Sequence, residues 1–422
     1  MNKILNFYFK NNFLTKKYEK IINEISNFDQ SKKLEIYNTK FLYLFNKVIK
    51  NSPFYKTLYS KHGITKNDIR TIEDIVKLPV ITSDYVKLNY PNISTGFKPM
   101  SINGYTSGTT GSPLTLKRDF SSIVWEQAYI NSYRSLFGFN IGNRLISLRG
   151  KLGKNQLFQN DSISNILYIS TPALNYSNAK LVYDLISRFK PMAIEGYPSY
   201  LFKLCEEFES LNLSISIPLT FTSSETLNVF FAKKIKKVLN TKVYDWYGNA
   251  ERTIALAQNS ELKYFPLPLY SLNEFQDNHL LTTSLINSYF PLIRYQVNDV
   301  IKINKSNYLT DFVNPDIISI NGRVAESIEL KDGSVVACID YVFKEIDHLE
   351  VAQVYQRFPG SDIDVKVVTG EKFGDLEKFR LLKRIRWLLG NEIGVNIIKS
   401  TKKDLIFSEK EKYKLIIKGN IN

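Results

Sequence analysis

The stretch Tyr105-Thr-Ser-Gly-Thr-Thr-Gly-Ser-Pro-Leu-Thr-Leu-Lys117 decides how the rest of the chain is read. Thr106, Ser107, Thr109 and Thr110 set hydroxyls along a short loop. Gly108 and Gly111 remove the side-chain bulk that would hold backbone N–H groups away from an anion. Such a loop suits the phosphates of a nucleotide. It is not the common phosphate loop, in which Gly-Lys-Ser/Thr opens a helix. Here Ser112 and Pro113 follow Gly111, and proline cannot donate to a helix or a strand ladder. Residues 114–117 read as a strand. Taken alone, the same residues also read as a flexible Ser/Thr/Gly surface loop.

Downstream, from about 120 to 300, short apolar runs alternate with amphipathic helices. Residues 144–149, 166–170, 192–195, 219–222 and 243–246 read as strands. Residues 179–189, the segment from Ser199 to 211, and the Lys-rich 229–239 read as helices. Strands alternating with helices imply an α/β domain with a parallel sheet covered on both faces. Ligands in such folds bind at the carboxyl ends of the strands, and three motifs fall there. Gly196-Tyr-Pro-Ser-Tyr200 nearly matches a hydrolase nucleophile elbow, but Tyr200 replaces the glycine that the sharp turn needs, and no histidine is placed as a base. Ser223-Ser-Glu-Thr-Leu227 reads as a capping box that starts a helix, and equally as a backbone contact for the edge of a nucleotide. In Tyr247-Gly-Asn-Ala-Glu251, Gly248 lets the chain turn sharply over a ligand, Tyr247 offers a flat face for stacking, and Glu251 supplies a hard oxygen suited to Mg²⁺. Further on, Asp299 has two acceptor oxygens that suit the paired hydroxyls of a ribose.

Outward from this core, residues 1 to about 100 read as mostly helical. Leu5, Phe7, Phe9 and Phe13, beside Lys3, Lys10, Lys16 and Lys17, make a basic amphipathic start. It serves either as a peripheral membrane contact or as a helix covering the main domain. His62-Gly63 reads as a turn. At the other end, residues from about 325 to 422 read as a small α+β domain, with strands at 351–358 and 363–368, a basic helix at 376–389 and an Asp332-Gly333 hairpin turn.

The bulk numbers narrow the function classes. With 422 residues, 44% of them hydrophobic, the chain is long enough for two or three domains. The net charge of +15 suits anionic partners. Its lysines are spread along the chain rather than clustered with aromatics on one segment, which argues against a nucleic-acid binder. Two cysteines cannot build a disulfide framework, and three histidines show no zinc-site spacing. No run of 18 apolar residues is present, and the N-terminus is a poor signal peptide, so a cytoplasmic protein is expected.

Thr106-Ser-Gly-Thr-Thr-Gly-Ser-Pro113 resembles the phosphate loop of the adenylate-forming ligases, the superfamily of acyl-CoA synthetases, peptide-synthetase adenylation domains and luciferases. The resemblance continues in order through Tyr247-Gly-Asn-Ala-Glu251 and Pro291-Leu-Ile-Arg-Tyr295. The segment from Asn51 through Leu78-Pro79-Val-Ile81 is similar to the opening of the phenylacetate–CoA ligase subfamily, including its capsule-biosynthesis branch. The resemblance implies a large domain at 1–322, a mobile small domain at 323–422, and a hinge within a few residues of Arg323. Ala325 and Glu326 stand where the family has an acidic pair.

By the same resemblance, Thr106 to Gly111, with Thr109 foremost, would hold ATP phosphates, and Glu251 the Mg²⁺ bound to them. Ser223, Ser224, Glu225, Tyr247 and Gly248 would pack on adenine, Asp299 on ribose, and Arg323 on ribose or phosphate. Gly196, Tyr197, Pro198 and Trp246 would line the acyl pocket. Glu411-Lys-Tyr-Lys-Leu-Ile416 resembles the segment carrying the adenylation lysine, which points to Lys412, with Lys410 and Lys414 as rivals. Glu411 replaces a family glycine, and Val297-Asn298 replaces Thr-Gly before the aspartate. The implied function is an ATP- and Mg²⁺-dependent, AMP-forming carboxylate ligase that passes an acyl group to CoA or another acceptor, with a role in surface-polysaccharide biosynthesis. The alternatives are direct amide formation on an amino-sugar precursor, and a degenerate nucleotide-binding protein without turnover.

Overall fold

Five apolar runs become neighbouring parallel strands because their side chains must leave water on both faces. Leu145–Arg149 and Ile166–Ser170 are buried at nearly every position. The sheet has eight strands, in the order Tyr264–Pro266, Ala255–Gln258, Lys242–Gly248, Leu219–Ser223, Ala193–Gly196, Leu145–Arg149, Ile166–Ser170, Phe158–Asp161. The run from Lys242–Gly248 to Ile166–Ser170 is parallel throughout. Both margins are antiparallel. The structure, a computed structural model, describes residues 11–419 apart from 91, 97–100, 107–113, 154–155, 226, 228, 276–278, 298, 305–311, 324–326, 334, 338, 344–345 and 407–414. At 229–230, 300, 319, 321–323, 335, 337, 340–341 and 402 it describes the backbone alone.

The crossovers between parallel strands are the helices Tyr176–Phe189, Pro198–Ser210 and Val229–Leu239. The first begins earlier than its apolar periodicity suggests, because the Asn178 side chain accepts the Asn175 N–H at 3.0 Å and closes a capping box. Phe120–Ser135, capped by Asp119 accepting the Ser122 N–H at 2.9 Å, packs an aromatic cluster on the sheet. Tyr133 lies 6.2 Å from Phe221 and 5.7 Å from Trp246 between ring centroids. The N-terminal region is helical: Phe13–Ser26, Gln30–Asn51, Pro53–Lys61 and Ser83–Asn89. Buried tyrosine hydroxyls peg it to the segment before and around residue 290. Tyr37 Oη accepts the Leu269 N–H at 2.7 Å, while Tyr55 Oη donates to the Pro291 carbonyl at 3.0 Å and accepts the Ile293 N–H at 3.0 Å.

A three-stranded antiparallel sheet, Ser271–Phe275, Leu280–Ser284 and Tyr295–Val297, carries a buried ion pair. Arg294 donates through Nε and Nη2 to Glu274, at 2.9 and 2.7 Å, and through Nη1 to the carbonyls of Val76 and Leu78. Both side chains are nearly sealed from water, at 11% and 6% exposure. In the main sheet, Asp245 is also buried. Its carboxylate accepts hydrogen bonds from the Thr222 hydroxyl and, at 2.6 Å, from the Tyr264 hydroxyl. Burial pushes this carboxyl up to about 6, against the opposing pull of those two donors.

The chain divides into two units. One comprises Met1–Ser107, Pro113–Val297 and Ile301–Ser319; the other comprises Gly108–Ser112, Asn298–Val300 and Ile320–Asn422. The second is α+β. Leu349–Gln356 pairs antiparallel with Ile363–Thr369 and parallel with Ile416–Lys418, and Ile363–Thr369 pairs parallel with Val395–Lys399. Asp375–Leu389 buries Leu381, Ile385, Leu388 and Leu389. The Asp332-Gly333 turn closes the hairpin of Ser327–Glu329 and Val335–Ala337, with Gly333 at φ +79 and its N–H on the Leu330 carbonyl at 3.0 Å.

Two stability outcomes follow from the buried charges. Arg294→Met strands Glu274 without its partner and should cost about 3–5 kcal/mol in urea unfolding; an unchanged midpoint would mean that the pair contributes nothing. For Asp245, the folded carboxyl keeps its proton to about pH 6, whereas an unfolded aspartate releases it near 4. Between those values the native state holds more protons, so stability falls as pH rises. Relative to Asp245→Asn, the wild type should lose on the order of 2–3 kcal/mol across that window. Parallel pH profiles for the two proteins would refute this assignment.

Candidate active site

Three of the sequence motifs sit at the carboxyl ends of adjacent parallel strands. Gly196, Ser223 and Gly248 close their strands, with Gly196 in register with Thr222 and Ser223 with Trp246. The missing Cβ of Gly196 allows the neighbouring strand in, since a Cβ there would lie 3.0 Å from that of Leu148.

The stretch after Tyr105 is the connection of a β-hairpin. Ile102–Tyr105 pairs antiparallel with Thr115–Arg118. Thr106 staples its base: its N–H donates to the Leu114 carbonyl at 3.1 Å, and its hydroxyl oxygen accepts the Leu114 N–H at 2.9 Å. Ser107, Gly108, Thr109, Thr110 and Gly111 lie outside the described residues. At the far end of the hairpin, Arg118 donates to the Ala250 carbonyl, which ties the hairpin to the Tyr247–Glu251 motif.

Within that motif the expected role of Gly248 changes. It is the last residue of Lys242–Gly248, paired with Ala255, and is not among the glycines of positive φ. Its need for no side chain comes from crowding, because a Cβ would lie 3.1 Å from the Trp246 indole nitrogen and 3.3 Å from the Ile254 carbonyl. The turn itself belongs to Asn249, whose side chain accepts the Thr253 N–H at 2.9 Å, and to Arg252, which stands at φ +57. Glu251 therefore projects from a built turn. Its Oε1 accepts the Tyr295 hydroxyl at 2.9 Å. Tyr295 is buried, and sequence reasoning assigned it no role. Its signal was its place in Pro291-Leu-Ile-Arg-Tyr295, directly after the arginine that Glu274 holds.

Around the same turn, Glu126 accepts the Tyr270 hydroxyl at 2.6 Å and pairs with Arg252 at 3.9 Å. Burial and the neighbouring Arg252 guanidinium pull the Arg118 pKa down, while Glu126, Tyr270 and Glu251 oppose that pull. Sequence reasoning missed this group because its members come from four separate segments.

The Ser223–Leu227 motif is also corrected. Ser224 stands at φ +71 beyond the strand, and the next helix begins only at Val229, so Ser223 and Ser224 do not stand at its N-terminus. Glu225 instead accepts the Ser199 N–H at 3.1 Å, at the start of Pro198–Ser210, which lacks a cap from Tyr197. Ser199 itself is buried. Pro198 is buried beside it, whereas Tyr197 is 41% exposed and stacks on Tyr200 at 4.9 Å. Trp246 is half-buried.

Asp299 is half-buried and opens Asp299–Asn304. Arg323 ends Asp316–Arg323, with its backbone alone described. Lys412, its rivals Lys410 and Lys414, Glu411, Asn298, Ala325, Glu326 and the basic residues 1–10 lie outside the described residues. His62 caps a helix end through Nδ1 on the Leu58 carbonyl at 2.9 Å. Among the described residues no group of three or more His, Cys, Asp or Glu side chains gathers to hold a metal, and no helix is long and apolar enough to cross a membrane.

No protein-family model matches the chain. Among curated proteins it is similar to protein CapK of Staphylococcus aureus, with 23% identity over 378 residues, covering 86% of this chain and 83% of that protein. Among solved structures it is similar to 2-hydroxyisobutyryl-CoA ligase. In the postadenylation state with R3-HIB-AMP, that enzyme superposes with a TM-score of 0.62 at 16% identity, over 92% of this chain and 90% of its own. In the thioesterification state with 2-HIB-AMP and CoA, the TM-score is 0.58 at 15% identity, over 93% and 90%. The superposition, over 92% of this chain and 90% of that enzyme, shows that the chain has the fold of the adenylate-forming enzymes.

Proposed function

We propose that the chain is an ATP-dependent, AMP-forming carboxylate ligase that makes an acyl-adenylate and passes the acyl group to CoA. One observation carries the reading. Glu251 is held by Tyr295 on a turn at the carboxyl edge of the sheet, beside a hairpin whose connection is Ser/Thr/Gly-rich. The choice of CoA is supported by the similar enzyme, which is described with both an acyl-adenylate and CoA bound.

A carboxylate is a weak electrophile. When its oxygen attacks the α-phosphorus of ATP, pyrophosphate leaves, and the acyl carbon gains AMP as a leaving group. Negative charge grows on the phosphate oxygens, so charge stabilisation dominates catalysis. The residues present suit a magnesium ion of the kind held by one or two carboxylates, water and substrate phosphates. Glu251 Oε1 is occupied by Tyr295, and Oε2 has no hydrogen bond among the described residues. When bound, Mg²⁺ would neutralise the phosphates. Tyr295 fixes the direction of the Glu251 carboxylate. In this proposal Tyr247 packs on adenine, Asp299 holds the ribose, and a lysine of the 410–414 segment, Lys412 foremost, approaches the α-phosphate. The hydroxyls and N–H groups of 107–111 cradle the remaining phosphates, because the Thr106 N–H is committed to the hairpin base.

ATP–pyrophosphate exchange over a panel of carboxylic acids tests the reading. At least one acid should support exchange; nucleotide binding without exchange under any acid would leave a binding protein instead. Glu251→Gln should lower exchange by roughly 10²-fold or more. Tyr295→Phe, which keeps the ring, should lower it by roughly tenfold through loss of one charge-assisted hydrogen bond. Wild-type rates in both variants would remove this pair from the mechanism.

A further inference from the structure

At the carboxyl end of the sheet, Leu145–Arg149 and Ala193–Gly196 carry a charge cluster that adenylation does not use. Glu195 Oε1 accepts the Ser147 hydroxyl at 2.6 Å and Arg149 Nη2 at 3.1 Å, while Oε2 accepts Arg134 Nη2 at 2.5 Å. Two guanidinium groups thus share one carboxylate, and the cluster keeps an excess positive charge. The two arginines are not equivalent. Arg134 is 19% exposed and lies over the rings of Phe221 and Phe139, at 5.0 and 5.9 Å. It suffices to compensate Glu195 inside the fold. Arg149 is 52% exposed, with its guanidinium 5.8 Å from the Tyr168 ring. Among the described residues its N–H groups make one hydrogen bond, to Glu195, out of the five donors that a guanidinium carries.

Its position is equally specific. Ser147 is in register with Glu195, and Gly196 and Tyr197 follow directly. The next residue after Arg149 also faces this edge, since a Cβ on Gly150 would lie 3.6 Å from the Tyr200 hydroxyl. Arg149 therefore borders the Gly196-Tyr197-Pro198 segment with a planar cation whose orientation Glu195 fixes. An acid with only an apolar body would strip water from that cation and return nothing. A second carboxylate would meet a pre-oriented fork able to bind it in two places.

We propose that Arg149 selects an acyl substrate bearing a second acidic group, the first carboxylate being the one adenylated. The inference rests on the ligase reading and can fail apart from it. The test uses acid pairs that differ by one carboxylate: glutarate against butyrate, adipate against valerate, and terephthalate against benzoate. In the full chain at least one dicarboxylate should be favoured in exchange by roughly tenfold or more in kcat/KM. Arg149→Gln should bring that pair to parity through the KM of the acid, with the KM of ATP unmoved, and Arg149→Lys should keep part of the preference. Monocarboxylates used as well as or better than every partner acid, or a variant that shifts only the KM of ATP, would overturn the proposal. If no acid supports exchange, the ligase reading falls and calorimetry with the same pairs decides the site alone. Dicarboxylate binding that Arg149→Gln abolishes sustains it, and absence of binding overturns it.

Discussion

The guanidinium of Arg294 is the constraint on which the candidate site depends. It is buried, so its charge must be compensated where water cannot help, and Glu274 does this through two of its nitrogens. Its remaining arm reaches the carbonyls of Val76 and Leu78, binding the N-terminal helical region to the three-stranded sheet. Arg294 stands at φ +51, a conformation that a long side chain adopts only when its surroundings compel it. The next residue is Tyr295, whose hydroxyl holds Glu251. A structural ion pair and the proposed metal carboxylate are thus one hydrogen bond and one peptide unit apart.

The large aromatic content is used in the same way. Tyrosine gives a buried body and one polar atom that must find a partner. Tyr37, Tyr55 and Tyr129 place their hydroxyls on backbone groups at Leu269, at Pro291 and Ile293, and at Pro268. These pegs fix the chain just before the three-stranded sheet and just before its last strand. The same logic in the main sheet sets Tyr264 on Asp245, two residues before Tyr247. The edge that would receive a ligand is therefore underpinned by satisfied polar groups rather than by apolar packing alone, and this suits a site that must hold its geometry against charged substrates.

The carboxyl edge of the sheet carries two kinds of charge. Around Glu251, the guanidinium groups of Arg118 and Arg252 stand with Glu126. Around Glu195, Arg134 and Arg149 share one carboxylate. In both places the arginines are aimed by backbone or carboxylate partners before any ligand arrives, so little ordering remains to be done on binding.

Much of this was legible in the sequence because its signals are local. The short apolar runs at 144–149 and 166–170 read as strands, the period of 229–239 reads as a helix, and Asp332-Gly333 marks its own turn, as the structure has them. The order of motifs along the chain pointed to the adenylate-forming fold. What only the tertiary structure decided were relations between segments far apart. Glu225 caps a helix that begins near Ser199, 26 positions away, and Tyr295 reaches Glu251 across 44. Gly248 answers to crowding by Trp246 and Ile254, which a reading by turn propensity misses. Arg149 carries no motif, and its meaning comes from sharing Glu195 with an arginine on a helix. Periodicity and turn chemistry act over a few residues and are written in neighbouring letters, whereas a partner for a buried charge is chosen by whichever strand packs alongside.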